Sequence, residues 1–222
     1  LPQTDISKVS AKLEEESKFN IFALTGGILT AIGVAFWIAV GVFDVSLGGK
    51  TEVPSIAIIP FENKGAKEDE FYAYSISSEL ISDVTSAGLI RVASIKDIEK
   101  LEYKTLDNSE LSEKLLVRYI AQGTLWKVDS VFQLSMELYD TKTSKILWSE
   151  NWQREWDELV SIKGNLAENI LKTLKVSTKQ DIAKEPTPNT EAYEYYLRAN
   201  YIYDKRENMK DTEIARGLYR KA

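Results

Sequence analysis

Residues 21–43 read IFALTGGILTAIGVAFWIAVGVF, 23 positions without a charged side chain. As a helix at about 1.5 Å per residue the run spans roughly 34 Å, enough for the hydrocarbon core of a bilayer. A core helix of a soluble protein of this length would carry a polar stripe, and none is present. The run is therefore expected to be a single transmembrane helix in contact with lipid. Lys8, Lys12 and Lys18 lie on its N-terminal flank, against Lys50 on the other side; Glu14, Glu15 and Glu16 weigh little in the comparison. This asymmetry predicts a cytoplasmic N-terminus and extracytoplasmic domains after the span. A cleaved signal peptide fits less well, because its apolar stretch is shorter, nearer the start and closed by a small-x-small site. Gly26, Thr30 and Gly33 are candidates for a helix-packing face in a homodimer, with simple exposure to lipid as the alternative. The chain opens at Leu1 rather than Met, as expected of a piece of a longer protein.

Composition removes several chemistries. The 222 residues contain no His and no Cys, so histidine-dependent hydrolysis, thiolate catalysis and histidine-ligated zinc are impossible within them. A net charge of −6 without a basic stripe argues against nucleic acid as a partner of these residues. The polar segment 1–20 reads as a juxtamembrane connector. Residues 44–53, with Gly48 and Gly49, read as a tether.

A compact pattern begins at Pro54. Ser55 to Phe61 (SIAIIPF) is a short apolar run expected to form a central strand, with Pro60 at its exit. From Asp69 the period becomes helical, with Ile76, Leu80, Ile81 and Val84 on one face and Gly88 past the end. Leu89 to Ala93 reads as a strand, and Ser94 as the N-cap of a short helix over Ile95 to Tyr103. A further helix over Ser109 to Leu116 turns Leu111, Leu115 and Leu116 inward. Three strands follow. In the first, Val117 to Lys127, Gly123 suggests a bulge or a close backbone approach. The second, Val131 to Tyr139, alternates Phe132, Leu134, Met136 and Leu138 with Gln133, Ser135 and Glu137, so one face is wet. The third, Lys145 to Gln153, puts Ile146, Trp148 and Trp152 on one face. Asp129-Ser130 and Asp140 to Ser144 connect them as a meander. A helix from about Glu155 to Leu174 buries Leu159, Ile162, Leu166, Ile170 and Leu174. A linker over 176–189 holds Pro186 and Pro188, and 190–222 reads as two helices broken near Asn208.

Particular residues make this order recognisable. Ile56-Ala57-Ile58-Ile59-Pro60-Phe61-Glu62-Asn63 resembles the "IAVLPFEN" opening of TolB N-terminal-like domains. Asp69 to Ala73, Glu79-Leu80-Ile81, Leu89 to Val92, Tyr119 to Thr124, Leu138-Tyr139-Asp140 with Thr143, and Leu147 to Glu150 resemble later motifs of that family. The likeness covers 54–175. Tyr74-Ser75 stands where the family has Asp-Gly, and Ser144 stands for a turn glycine. The second change predicts a different turn type, since serine enters positive φ at greater cost. Residues 190–222, through Leu197-Arg198-Ala199 and Ala215, Tyr219 and Ala222, resemble a first tetratricopeptide (TPR) repeat. One such repeat cannot bury its own face, so more are expected after Ala222.

The expected fold is an α/β (α+β) domain with a mixed sheet and an antiparallel three-strand meander. It is preceded by one transmembrane helix and followed by the start of an all-α TPR array. The resemblance implies a module that binds a protein or peptide, as in membrane-bound class III adenylate/guanylate cyclases, with the effector domain before residue 1. An envelope scaffold without a catalytic domain and a winged-helix regulator remain as alternatives. No catalytic residue, metal site or cofactor is expected within the chain. Glu62 and Asn63 at a strand end, and Tyr193 and Tyr196 in the first helix of the hairpin, are the candidate interaction residues. The acidic loop reads otherwise as solvated surface and the tyrosines as helix packing.

Overall fold

The computed structural model describes residues 53–87, 89–155, 158–176 and 189–222. The expected connector, transmembrane helix and tether, with Gly26, Thr30 and Gly33, lie outside the described residues, as do Gly88, Trp156, most of the linker and the side chains of Leu159 and Ile162. Among the described residues no helix is long and apolar enough to cross a membrane. Residues Val53–Ala222 form one compact unit.

Among the described residues its sheet has six strands: β1 Ser55–Ile58, β2 Glu62–Asn63, β3 Arg91–Val92, β4 Tyr119–Val128, β5 Val131–Asp140 and β6 Lys145–Glu155. The order is β3-β1-β4-β5-β6, and β2 pairs with β4 beyond the end of β1. Pairings of β1 with β3 and β4, and of β2 with β4, are parallel; those of β4 with β5 and β5 with β6 are antiparallel. The sheet is mixed, as expected. Ile56, Ala57 and Ile58 are fully buried, which suits a continuous apolar run in a strand covered on both faces.

Helix α1, Glu70–Ser86, and helix α4, Leu159–Thr173, cover one face of the meander. The alternation of β5 decides which face: Phe132, Leu134, Met136 and Leu138 are at most 2% exposed. Tyr72 of α1 meets Phe132 edge to face, ring centroids 5.4 Å apart. Helix α4 starts at Leu159 rather than near Glu155, because β6 runs on through Glu155 to stay paired with Val131. On the opposite face lie α2, Ile95–Glu99, and α3, Asn108–Leu115. Ser94 caps α2 by accepting from the Asp97 amide, and Asp107 with Glu110 forms a reciprocal capping box on α3. Leu116 is not inward: it closes α3 in a left-handed conformation (φ 54) that turns its side chain out, 78% exposed.

Three expectations about the meander resolve in detail. Gly123 marks a close approach, not a bulge. The β4–β5 register is unbroken from Tyr119 to Val128, and a Cβ on Gly123 would stand 2.2 Å from the Ser135 carbonyl oxygen. The bulge lies instead in β6, where Leu138 faces Trp148 but Tyr139 faces Ile146, leaving Leu147 as the extra residue. Ile146 therefore departs from the face of Trp148 and Trp152 and is 54% exposed, because one inserted residue reverses the alternation. Ser144 does not change the turn as predicted. It adopts φ 53, the left-handed conformation a glycine would supply.

Helices α5, Thr190–Asp204, and α6, Met209–Tyr219, form an antiparallel hairpin. Each is capped by an asparagine side chain, Asn189 on the Ala192 amide and Asn208 on the Asp211 amide. Helix α5 lies along α1, so the first half of α1 is buried on its outer side as well.

Candidate functional site

Two features of the unit are built for contact. The first is a cleft of about 640 Å³ on the sheet face opposite α1 and α4. Helix α3 and the 3₁₀ turn Tyr103–Thr105 cover that face only near β1 and the start of β4, where Ile120 is fully buried. From Gln122 onward the face is open. Tyr103, Lys104 and Leu106 form one wall, and Pro60 to Glu62 another. The floor holds Gln122 and Thr124 of β4, Ser135 and Glu137 of β5, and Ser149 and Asn151 of β6. The Gln122 amide donates to Glu137 at 2.6 Å, and Thr124 and Ser135 share a hydrogen bond of 2.6 Å. Burial pushes the Tyr103 phenol upward.

Glu62 stands at this rim, where it pairs with Lys64 at 2.6 Å. Both side chains are more than half exposed, so the pair contributes little to stability. Asn63 is occupied by its own loop: its amide donates to the Ala66 carbonyl and its oxygen accepts from the Gly65 amide. The two neighbours thus divide, one facing the cleft and one holding the turn beside it.

The second feature is the contact between α1 and α5. Tyr193 is 1% exposed, and its hydroxyl donates to Glu79 Oε2 at 2.8 Å. Burial, reinforced by the Glu79 carboxylate, drives the Tyr193 pKa far up, so the phenol stays protonated as this bond requires. The buried Ser75 hydroxyl donates to the Leu197 carbonyl at 2.8 Å. Tyr74 meets Tyr201 edge to face at 5.5 Å, and Lys205 lies 4.4 Å over the Tyr74 ring. Arg198 lies 4.6 Å over Phe71. Tyr74 and Ser75, the departures from the resembled family's pattern, are both spent on holding α5. Tyr193 is therefore inside the molecule, while Tyr196, 37% exposed, sits between Tyr193 and Tyr219 at the hairpin surface.

Sequence reasoning missed the cleft floor. Its one legible signal was the wet alternation of β5, which reads equally as plain solvent exposure. It also missed the role of Asp140. That side chain, 3% exposed, takes a two-pronged contact from Arg118, Nε to Oδ1 at 3.0 Å and Nη2 to Oδ2 at 2.7 Å. Among the described residues no cluster of three or more carboxylates is placed to hold a metal ion.

Residues 51–173 match the family described as HilA/YgeH-like transcriptional regulator, second domain. A protein of Rhizobium meliloti (strain 1021), named as a candidate adenylate cyclase 3, is 24% identical over 172 residues, which cover 75% of this chain and 29% of the relative. The chain thus spans less than a third of that relative's length. Among solved structures, TolB from Acinetobacter baumannii is similar with a TM-score of 0.42 and 16% identity, over 55% of this chain and 28% of that one. The LpoB C-terminal domain from Salmonella enterica gives 0.39 and 13%, over 48% and 86%. Through residues 51–173, just over half of its length, the chain belongs to the family of HilA/YgeH-like transcriptional regulator second domains.

Proposed function

We propose that residues 53–222 are the interaction module of a membrane-anchored signalling protein. The apolar run 21–43 holds the module outside the cytoplasm, and an effector domain precedes residue 1. The observation that carries this reading is the 172-residue match to a protein named as a candidate adenylate cyclase, most of whose length lies beyond the match. A class III nucleotide cyclase is accordingly the effector we favour. The module contributes recognition: the α/β domain and the hairpin bind a protein or peptide partner, and the clamp of α5 on α1 makes them respond as one body. Pairing of two chains through the Gly26, Thr30 and Gly33 face would then bring two effector domains together.

A second reading is favoured by the family description. There the effector before residue 1 is a DNA-binding domain, and the module plays the same part for a transcriptional regulator. An envelope scaffold with no effector is the remaining alternative. Alkaline phosphatase and green fluorescent protein fusions at Gly49 and Ala222 test the placement. Phosphatase activity without fluorescence at both positions is the expected result, and fluorescence at both overturns it. The coding sequence before Leu1 separates the effectors. Two metal-binding aspartates in a paired-strand core mean a cyclase, a winged helix means a regulator, and a start codon just upstream leaves the scaffold.

A further inference from the structure

The register of the meander lays three cross-strand rows on its open face: Gln122–Glu137–Ser149, Thr124–Ser135–Asn151 and Trp126–Gln133–Gln153. Successive rows are two residues apart, roughly 7 Å at about 3.4 Å per residue. Apart from Trp126, each of these side chains is an amide, a hydroxyl or a carboxylate. Trp126, 48% exposed, stands in the row next to the cleft, with the Gly65 loop against its edge. Among the described residues Ser149 and Asn151 make no side-chain hydrogen bond, so their donors and acceptors are open to a ligand.

We propose that this face, from the cleft to Trp126, binds a neutral oligosaccharide. Sugar hydroxyls donate and accept at once, and they match side chains that present both functions close together. The apolar C–H face of a sugar ring stacks on an indole, as an amphipathic aromatic side chain with one exposed face allows. Few charges line the cleft, Lys104, Glu137 and Glu62, and Glu62 is paired with Lys64 outside the lining, so no strong field selects a polyanion or a polycation. An extended peptide is disfavoured here. It would add to a sheet through backbone bonds at an edge, which here is β6, whereas the floor centred on β4 and β5 has its backbone paired on both sides. The proposal rests on the cleft alone and on neither the membrane placement nor the effector.

The test is saturation-transfer NMR on the full chain, in a zwitterionic detergent free of sugar headgroups. The probes are maltotetraose, cellotetraose, mannotetraose and N-acetylchitotetraose, each at millimolar concentration. At least one is expected to show transfer. Its affinity should fall about tenfold in Trp126→Ala and about three- to tenfold in Asn151→Ala. Both side chains are exposed, so the variants keep the fold, which the unfolding midpoint checks. Ile214→Ala, on the hairpin, should bind as the parent does. Transfer to none of the four sugars overturns the proposal, as does binding that Trp126→Ala and Asn151→Ala leave unchanged. So does transfer to a neutral Gly-Ser-Asn peptide in place of the sugars, which would make the face a peptide site.

Discussion

Asp140→Asn tests how the meander is tied to the parallel half of the sheet. Asp140 ends β5 opposite Tyr119 and receives both prongs of Arg118, and the Lys142 amide donates to its Oδ1 at 3.0 Å. The Arg118 hydrogen bonds hold its carboxyl at about 2 instead of the ordinary 3.8, against the upward push of burial. A depressed carboxylate contributes stability that is present above its unfolded pKa and is lost as pH falls through the folded one. That depression, at roughly 1.4 kcal/mol per tenfold change in acidity, is worth on the order of 2 kcal/mol. Urea unfolding of the parent and of Asp140→Asn should therefore show a stability gap that is widest at about pH 6 and narrows by about 2 kcal/mol as the pH approaches 2. Other carboxylates titrate in both proteins and cancel in the difference. A gap that stays constant across that range would refute the assignment of the pair as the source of stabilisation.

Gly123→Ala should destabilise the unit by more than about 3 kcal/mol in the same assay, because its Cβ would meet backbone 2.2 Å away and β5 would have to move. Ser144→Gly should stabilise by about 0.5 kcal/mol, as relief of a left-handed serine outweighs the added chain entropy. A loss of stability in that variant would show that the turn is not strained. Ser75→Ala should cost about 1 kcal/mol, and Tyr193→Phe, which removes the hydroxyl that donates to Glu79 Oε2, about 1–2 kcal/mol. For both variants, hydrogen exchange should accelerate in α5 more than in β4 and β5; equal acceleration everywhere would mean that α5 is not separately clamped.

The elements legible in the sequence were those whose cause lies within a few residues. The apolar spacing of Ile76, Leu80, Ile81 and Val84 made α1, the hydroxyl of Ser94 capped α2, and the alternation of β5 named its buried face before any partner was known. The misreadings share one physical source. Leu147 looks like any strand residue, and the bulge is set by Trp148 and Trp152 packing into the core while Ile146 keeps pairing with Tyr139. Leu116 carries the inward spacing of α3 but falls on its left-handed cap.

The sequence by itself determined the apolar run of 21–43, the chemistries excluded by the absence of His and Cys, the α/β class and the order of the longer helices and strands, but not the two-residue strand β2, which lies beyond the expected strand Ser55–Phe61. These follow from composition and from periods of 2 and 3.6 residues, which every segment carries alone. Only the tertiary structure decided what meets across long loops: Arg118 on Asp140, Ser75 on the Leu197 carbonyl, Tyr193 on Glu79, and the three rows that make the open face a floor. Such contacts depend on which strands pair and in what register. That choice is made by burying the whole sheet at once, since a one-residue slip would send each of these side chains to the wrong face.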